Sequence, residues 1–188
     1  MFSNISNSVQ VNRVENQIFD EERALYNLRN AEVIRCTFAG QADGESALKE
    51  SHQVNVVNCK FSLRYPLWHV KEFNLIGSEM DSQARAPIWY SQDGLIKDSR
   101  IEGIKLLREC KNIRLENCKI NSPEFGWKCN DLIMSDMDIQ SEYLLLDSSN
   151  IEIDHIKMQG KYSFQYTDQI HIINSELDTK DAFWHSKN

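Results

Sequence analysis

Proline and glycine are scarce in this chain: its 188 residues include 3 prolines and 7 glycines. No stretch rich in either interrupts it, so the sequence shows neither a linker nor a second domain, and most corners must be made by other residues. Basic charge is also in deficit. With 21 Lys and Arg against 28 Asp and Glu, the net charge is −7, and nothing basic is concentrated anywhere, which argues against a nucleic-acid or anionic-membrane partner. No apolar run approaches the roughly 18 residues of a membrane span. The start, Met1 to Gln10, lacks the basic residues and apolar stretch of a signal peptide. Five cysteines, an odd number without paired spacing, do not form a secreted disulfide framework. The sequence therefore predicts a cytoplasmic protein.

What the chain does have is a period. From Ile113 to Asn188 it divides into four consecutive units of 19 residues, each opening with an apolar–x–apolar pair: Ile113 and Leu115, Leu132 and Met134, Ile151 and Ile153, Ile170 and Ile172. Read backwards, coils begin at Asn12, Ala31, Val54, Phe73, Gly94, Ile113, Leu132, Ile151 and Ile170. Two spacings are longer, 23 after Ala31 and 21 after Phe73, and the extra residues fit loops at Gly40–Gly44 and Gln83–Arg85. A fixed period near 20 with internal alternation is the signature of a β-solenoid. The predicted fold is all-β: a single-chain right-handed parallel β-helix of about nine coils of 19 residues spanning 12–188, with 1–11 as an N-terminal cap or tail.

Stacking the coils gives columns. The third position (Val14, Val33, Val56, Leu75, Ile96, Leu115, Met134, Ile153, Ile172) and the eighth (Phe19 through Leu177) are apolar in all nine coils, whereas 41% apolar composition would supply about four. A third column, from Leu25 through Leu67 and Ile88 to Phe183, completes the predicted core. The fifth position reads Asn16, Arg35, Asn58, Gly77, Asp98, Asn117, Asp136, His155, Asn174. Asn, Asp and Gly tolerate left-handed backbone, so this column and the coil-end column from Asn30 to Asn188 are read as corners rather than metal ligands or catalytic acids.

On these residues the chain resembles a bacterial family of right-handed parallel β-helices, the domain of unknown function family 3737, of pectin-lyase-like architecture. The segments that carry the resemblance are Glu22–Tyr26, Gly44–Ser51, Tyr65–Trp68, Arg85–Tyr90 and Asp181–Trp184, with Glu21 and Pro87 standing where the family commonly has Gly. The family has no established activity, so the resemblance supports the fold and leaves function open.

The chemistry-bearing residues are few. Cys36, Cys59 and Cys118 share one inward column and Cys110 and Cys129 another, where Cys acts as a small, reduced apolar filler. The five His are scattered, and no zinc-type spacing, Ser-His-Asp set or Gly-rich phosphate loop occurs, so no metal or cofactor is expected and no catalytic residue is assigned. All four tryptophans, Trp68, Trp89, Trp127 and Trp184, fall in one column with Tyr26, and the next column is polar. That pattern predicts an outward corner formed by both columns, with an exposed stripe of aromatics along one edge. It serves as a ring ladder, a protein interface or a glycan platform. Candidate ligand-binding residues are Lys49, Glu50, Trp68, His69, Arg85, Trp89 and Tyr90, beside the two predicted insertions. The functional reading is a non-enzymatic scaffold or binding module, with a possible glycan ligand. The alternative is a carbohydrate-active hydrolase or lyase using Arg23, Glu45, Lys49, Glu50, His69, Arg85 and Tyr90. A last coil bearing Ile170, Ile172, Leu177 and Phe183 without a polar cover predicts self-association into a homo-oligomer.

Overall fold

The computed structural model describes residues 11–40 and 44–188. Residues 1–10 of the predicted cap, and Gln41–Asp43 of the first insertion, lie outside the described residues. The chain winds as a parallel β-solenoid of about nine turns. Every predicted coil start pairs with the next: Asn12 with Ala31, Ala31 with Val54, Val54 with Phe73, Phe73 with Gly94, and so on to Ile151 with Ile170. The first strands of the coils run from Asn12–Glu15 through His52–Val57 and Lys71–Ile76 to Asp168–Ile173, and the second from Ile18–Phe19 to Glu176–Asp178. In two coils the strands merge into single 12-residue strands, Asn130–Ser141 and Ser149–Gly160. At one strand spacing of about 4.8 Å per coil the stack is roughly 40 Å long. Among the described residues there is no helix, and so none long and apolar enough to cross a membrane.

Each coil turns at four left-handed residues. All nine residues of the fifth column (φ 49–57°) and all nine of the coil-end column (φ 45–59°) are left-handed, as their composition predicts. A third such column, from Asn27 through Glu50, His69, Tyr90 and Glu109 to His185, is left-handed as well, at the polar position read as an outward corner though few of its residues are Asn, Asp or Gly. Positive φ costs a non-glycine residue roughly 1–2 kcal/mol. What offsets this cost is the ladder: corner residues still donate their N–H one coil on, as Asn58 does to Ile76 and Asn117 to Ser135. Corner side chains pair too. The Asn117 amide donates to Asp98 at 2.6 Å, Asn112 to Asp93 at 2.7 Å and Asn150 to Asp131 at 2.9 Å.

The fourth corner moves. It sits at Arg23, Ser46, Tyr65, Ala86 and Lys105 in the first five coils, then at Gly126, Leu145, Phe164 and Phe183, two positions later within the coil. A Cβ on Gly126 would lie 2.5 Å from the Leu145 side chain, which is why the column is apolar everywhere except at this first coil after the change. At the seam the ladder is irregular. The carbonyl of Leu107 accepts from both Gly126 and Trp127, and the Arg108 N–H reaches Ile88 at only 3.4 Å.

The predicted inward columns are the core, with Val33, Leu75, Ile101, Phe38, Leu48 and Ile88 all fully buried. Phe19, Phe38 and Phe61 stack at 5.0 and 4.8 Å along the eighth column. Gly94 opens its coil because the Phe73 ring fills the space: a Cβ there would meet the ring at 2.3 Å. The small inward residues do more than fill. The N–H of Cys59 donates to Ser78 Oγ at 3.1 Å, Ser78 to Ser99 Oγ at 3.1 Å, Val70 to Ser91 Oγ at 3.0 Å and Cys129 to Ser148 Oγ at 2.9 Å. Cys59 Sγ takes the same place for Cys36 N–H at 3.4 Å. The filler reading of the cysteines is thus incomplete, because Ser and Cys here accept the N–H groups that the corners turn inward. All five cysteines are free and buried. Burial pushes the Cys59 thiol up to about 11 and raises those of Cys118 and Cys129, so these thiols stay protonated and unreactive near neutrality.

Candidate functional site

The two insertions occupy the corner after the eighth-position strand, in coils separated by one other. Gly40 and Gly44 pinch the base of the first so closely that a Cβ on either would lie about 2 Å from the other's Cα. The second is a compact turn: Gln83 N–H donates to the Asp81 carboxylate at 2.9 Å and Ala84 N–H to the Asp81 carbonyl at 2.9 Å.

The tryptophan column does not stand out from the edge as alternation predicts. Trp68, Trp89 and Trp127 are half-buried, and each indole N–H turns back to a carbonyl one coil on: Trp68 to Ala86 at 2.7 Å, Trp89 to Lys105 at 2.7 Å, Trp127 to Tyr143 at 3.3 Å. Trp184, on the last coil, is 59% exposed. Trp68 and Trp89 stack face to face at 5.4 Å and 7°. Their outer faces are covered by Lys49, 5.7 Å above Trp68, and by Arg108, 5.0 Å from Trp89, giving a pile of cation, ring, ring, cation. Tyr65 tilts against Trp68 at 4.5 Å. Trp127 has no tryptophan neighbour in its column and instead meets Tyr143 edge-on at 6.0 Å.

Of the seven candidates, five are in contact. Lys49, Trp68 and Trp89 form the pile, while His69 and Tyr90, one residue on, stack at 5.0 Å with both tryptophans edge-on to Tyr90 at 5.9 Å. Glu50 stands in the His69 column and lines a groove with it. Arg85 is set apart. It lies in the turn that bridges to Ile104, on the other flank of the tryptophan column, and pairs with none of the described carboxylates. The wider set is split too, with Glu45 held by Arg64 at 3.3 Å and Arg23 by its neighbour Glu22 at 3.0 Å.

Sequence reasoning misses Arg108. Its guanidinium closes the ring pile, yet its Nε is buried without a hydrogen-bond partner, and the nearest carboxylate, Glu109, is 3.6 Å away. Its place in the tryptophan column was the available signal. Also missed is the basic row Arg29, His52 and Lys71 across the groove from His69.

The electrostatics are those of ion pairs. Gln53 and His52 hydrogen-bond Glu72 (both 2.8 Å) and hold its carboxyl below the usual range; Lys97 and Arg114 do the same for Glu116, and Arg13 for Glu15. Among the described residues no three His, Cys, Asp or Glu side chains converge as metal ligands would.

Fold and side-chain ladders together define a parallel β-solenoid with a laddered aromatic edge. The chain belongs to the family described as protein of unknown function DUF3737, whose model matches residues 12–188. No curated protein matches it.

Proposed function

We propose that the chain is a non-enzymatic binding scaffold whose contact edge carries His69 and Tyr90, backed by the rigid pile of Trp68 and Trp89. The observation that supports this most is the pile itself. Four side chains on successive coils, Lys49, Trp68, Trp89 and Arg108, are locked by stacking and by indole hydrogen bonds, which presents a fixed surface at little ordering cost. The carbohydrate-active reading draws less support: both faces of each stacked indole are already covered, so a sugar would meet ring edges, and of its two carboxylates Glu45 is held by Arg64 at 3.3 Å, away from Glu50 in the groove. A glycan or protein ligand that contacts His69 and Tyr90 rather than the covered indole faces is the expected partner. Self-association belongs to the same proposal, since Ile173, Phe183 and Trp184 on the last coil are 43%, 44% and 59% exposed.

The test pairs a glycan array and co-purification screen with an assay for reducing ends and unsaturated products on a polysaccharide panel. Binding without turnover, lost in His69→Ala and Tyr90→Ala, is the expected result. Turnover of any substrate in the panel overturns the scaffold reading.

A further inference from the structure

Beside the ring pile, two residue columns flank a groove. One is the left-handed corner column with Glu50 and His69; the other, two residues on, carries Arg29, His52 and Lys71 on three successive coils. With Ser51 at the floor they line a cavity of about 360 Å³. In a chain of net charge −7 the local balance is reversed: two permanent cations and two imidazoles face a single carboxylate.

The surroundings leave the two permanent cations, Arg29 and Lys71, free for a ligand. Glu72 is turned to His52 and Gln53 at 2.8 Å each, so it pairs with neither Arg29 nor Lys71. Arg29 is anchored by Asn27 Oδ1 at 2.6 Å through one Nη alone, and Lys71 pairs with none of the described carboxylates. His69 is held in place by its stack on Tyr90 and its left-handed backbone. Ser51 is not a ligand group, since its hydroxyl accepts from Leu28 N–H at 3.2 Å and donates to the Leu25 carbonyl at 3.4 Å. Arg29 and Lys71 are two strand spacings apart, roughly 10 Å at the backbone, a separation that long side chains close around one small ligand.

We infer that this groove binds a small multivalent oxyanion, a phosphate or a polycarboxylate, clasped between Arg29 and Lys71 with His52 and His69 at its sides. The site rests on the scaffold reading only in sharing His69 with the proposed contact edge. Glu50 opposes the ligand and sets its affinity.

Isothermal titration of the full chain at low ionic strength tests it with inorganic phosphate, a sugar phosphate monoester and citrate, and with acetate as the monovalent control. At least one multivalent anion is expected to bind while acetate does not. A preference for the monoester over inorganic phosphate would identify a phosphate carried on a larger ligand. Lys71→Met and Arg29→Met, both at exposed positions, should each weaken binding at least tenfold without moving the melting temperature. Glu50→Gln should tighten it several-fold, and Lys180→Met on a distant coil should leave it unchanged. Failure of all three multivalent anions to bind at millimolar concentration overturns the site, as does equal weakening by Lys180→Met, which would mark a general charge effect. Neither failure touches the scaffold reading, which falls on turnover instead.

Discussion

Ser78 Oγ accepts the backbone N–H of Cys59, 3.1 Å away on the preceding coil, and donates in turn to the Ile76 carbonyl of its own coil at 3.0 Å. One hydroxyl thereby satisfies an inward-turned N–H and ties two coils together. A buried donor left without a partner costs roughly 1–3 kcal/mol, so Ser78→Ala should destabilise by that amount in urea unfolding. Cys59→Ser keeps an acceptor for the Cys36 N–H and should be close to neutral. Equal losses in the two variants would show that packing, not the N–H, sets the cost.

Much of this fold is legible in the sequence because a weak local signal is repeated in every coil. One Val or Phe says little, but the third and eighth columns fix the register, and Asn, Asp and Gly at the fifth position mark a corner. The His69 and Tyr90 column carries a weaker mark, polarity alone, since its left-handed residues include Glu50, Glu109 and Lys128, whose conformation is imposed by the ladder. Polarity places the corner but not the rings: one residue before it, the tryptophans lie back along the edge with their N–H groups on Ala86 and Lys105. The corner shift at Gly126 is equally silent, because Phe125 and Leu144 suit an inward place under either geometry.

Gly94 and Phe73 make a small-against-large pair across adjacent coils. Adding a methyl group at Gly94 would place it 2.3 Å from a buried ring, with neighbouring coils on both sides. Overpacking of this kind costs typically 1–3 kcal/mol. Gly94→Ala should therefore lower the unfolding midpoint, and Phe73→Leu in the same chain should recover part of the loss. A neutral Gly94→Ala would mean that the coil spacing adjusts freely here.

Arg108 closes the ring pile with a cation but leaves its Nε buried and unpaired. Replacing such a group by an apolar side chain of similar shape is close to neutral or stabilising. Arg108→Met should thus match or exceed the parent in thermal unfolding. Trp89→Ala removes a half-buried ring, one stacking partner and the hydrogen bond to Lys105, and should cost about 3–5 kcal/mol. A loss in Arg108→Met as large as that in Trp89→Ala would assign the stability to the cation.

Glu72 makes stability depend on acid. Its folded pKa lies below the ordinary 4.5, chiefly through the Gln53 amide and then His52. A carboxyl depressed in the folded state adds stability that is fully present above its unfolded pKa and disappears as pH falls through the folded value. The unfolding midpoint should therefore hold as pH drops to about 4.5 and decline below it. The decline should be shallower in Gln53→Ala and shallower again when His52→Gln is added. A pH profile identical in parent and double variant would show that other carboxylates, Glu15 and Glu116 among them, govern the acid limb.

Ile173, Phe183 and Trp184 give the last coil an apolar surface, while Ile170, Ile172 and Leu177 pack against the core but are only half-buried. A second copy laid against that surface would cover the exposed rings. Light scattering at micromolar concentration should report at least twice 21.9 kDa. Phe183→Ser with Trp184→Ser should shift the mass toward one chain while circular dichroism keeps its strand signature, since both side chains are exposed. Retention of the larger mass in that double variant would place the contact elsewhere, and a parent that stays at 21.9 kDa at high concentration would end the self-association proposal.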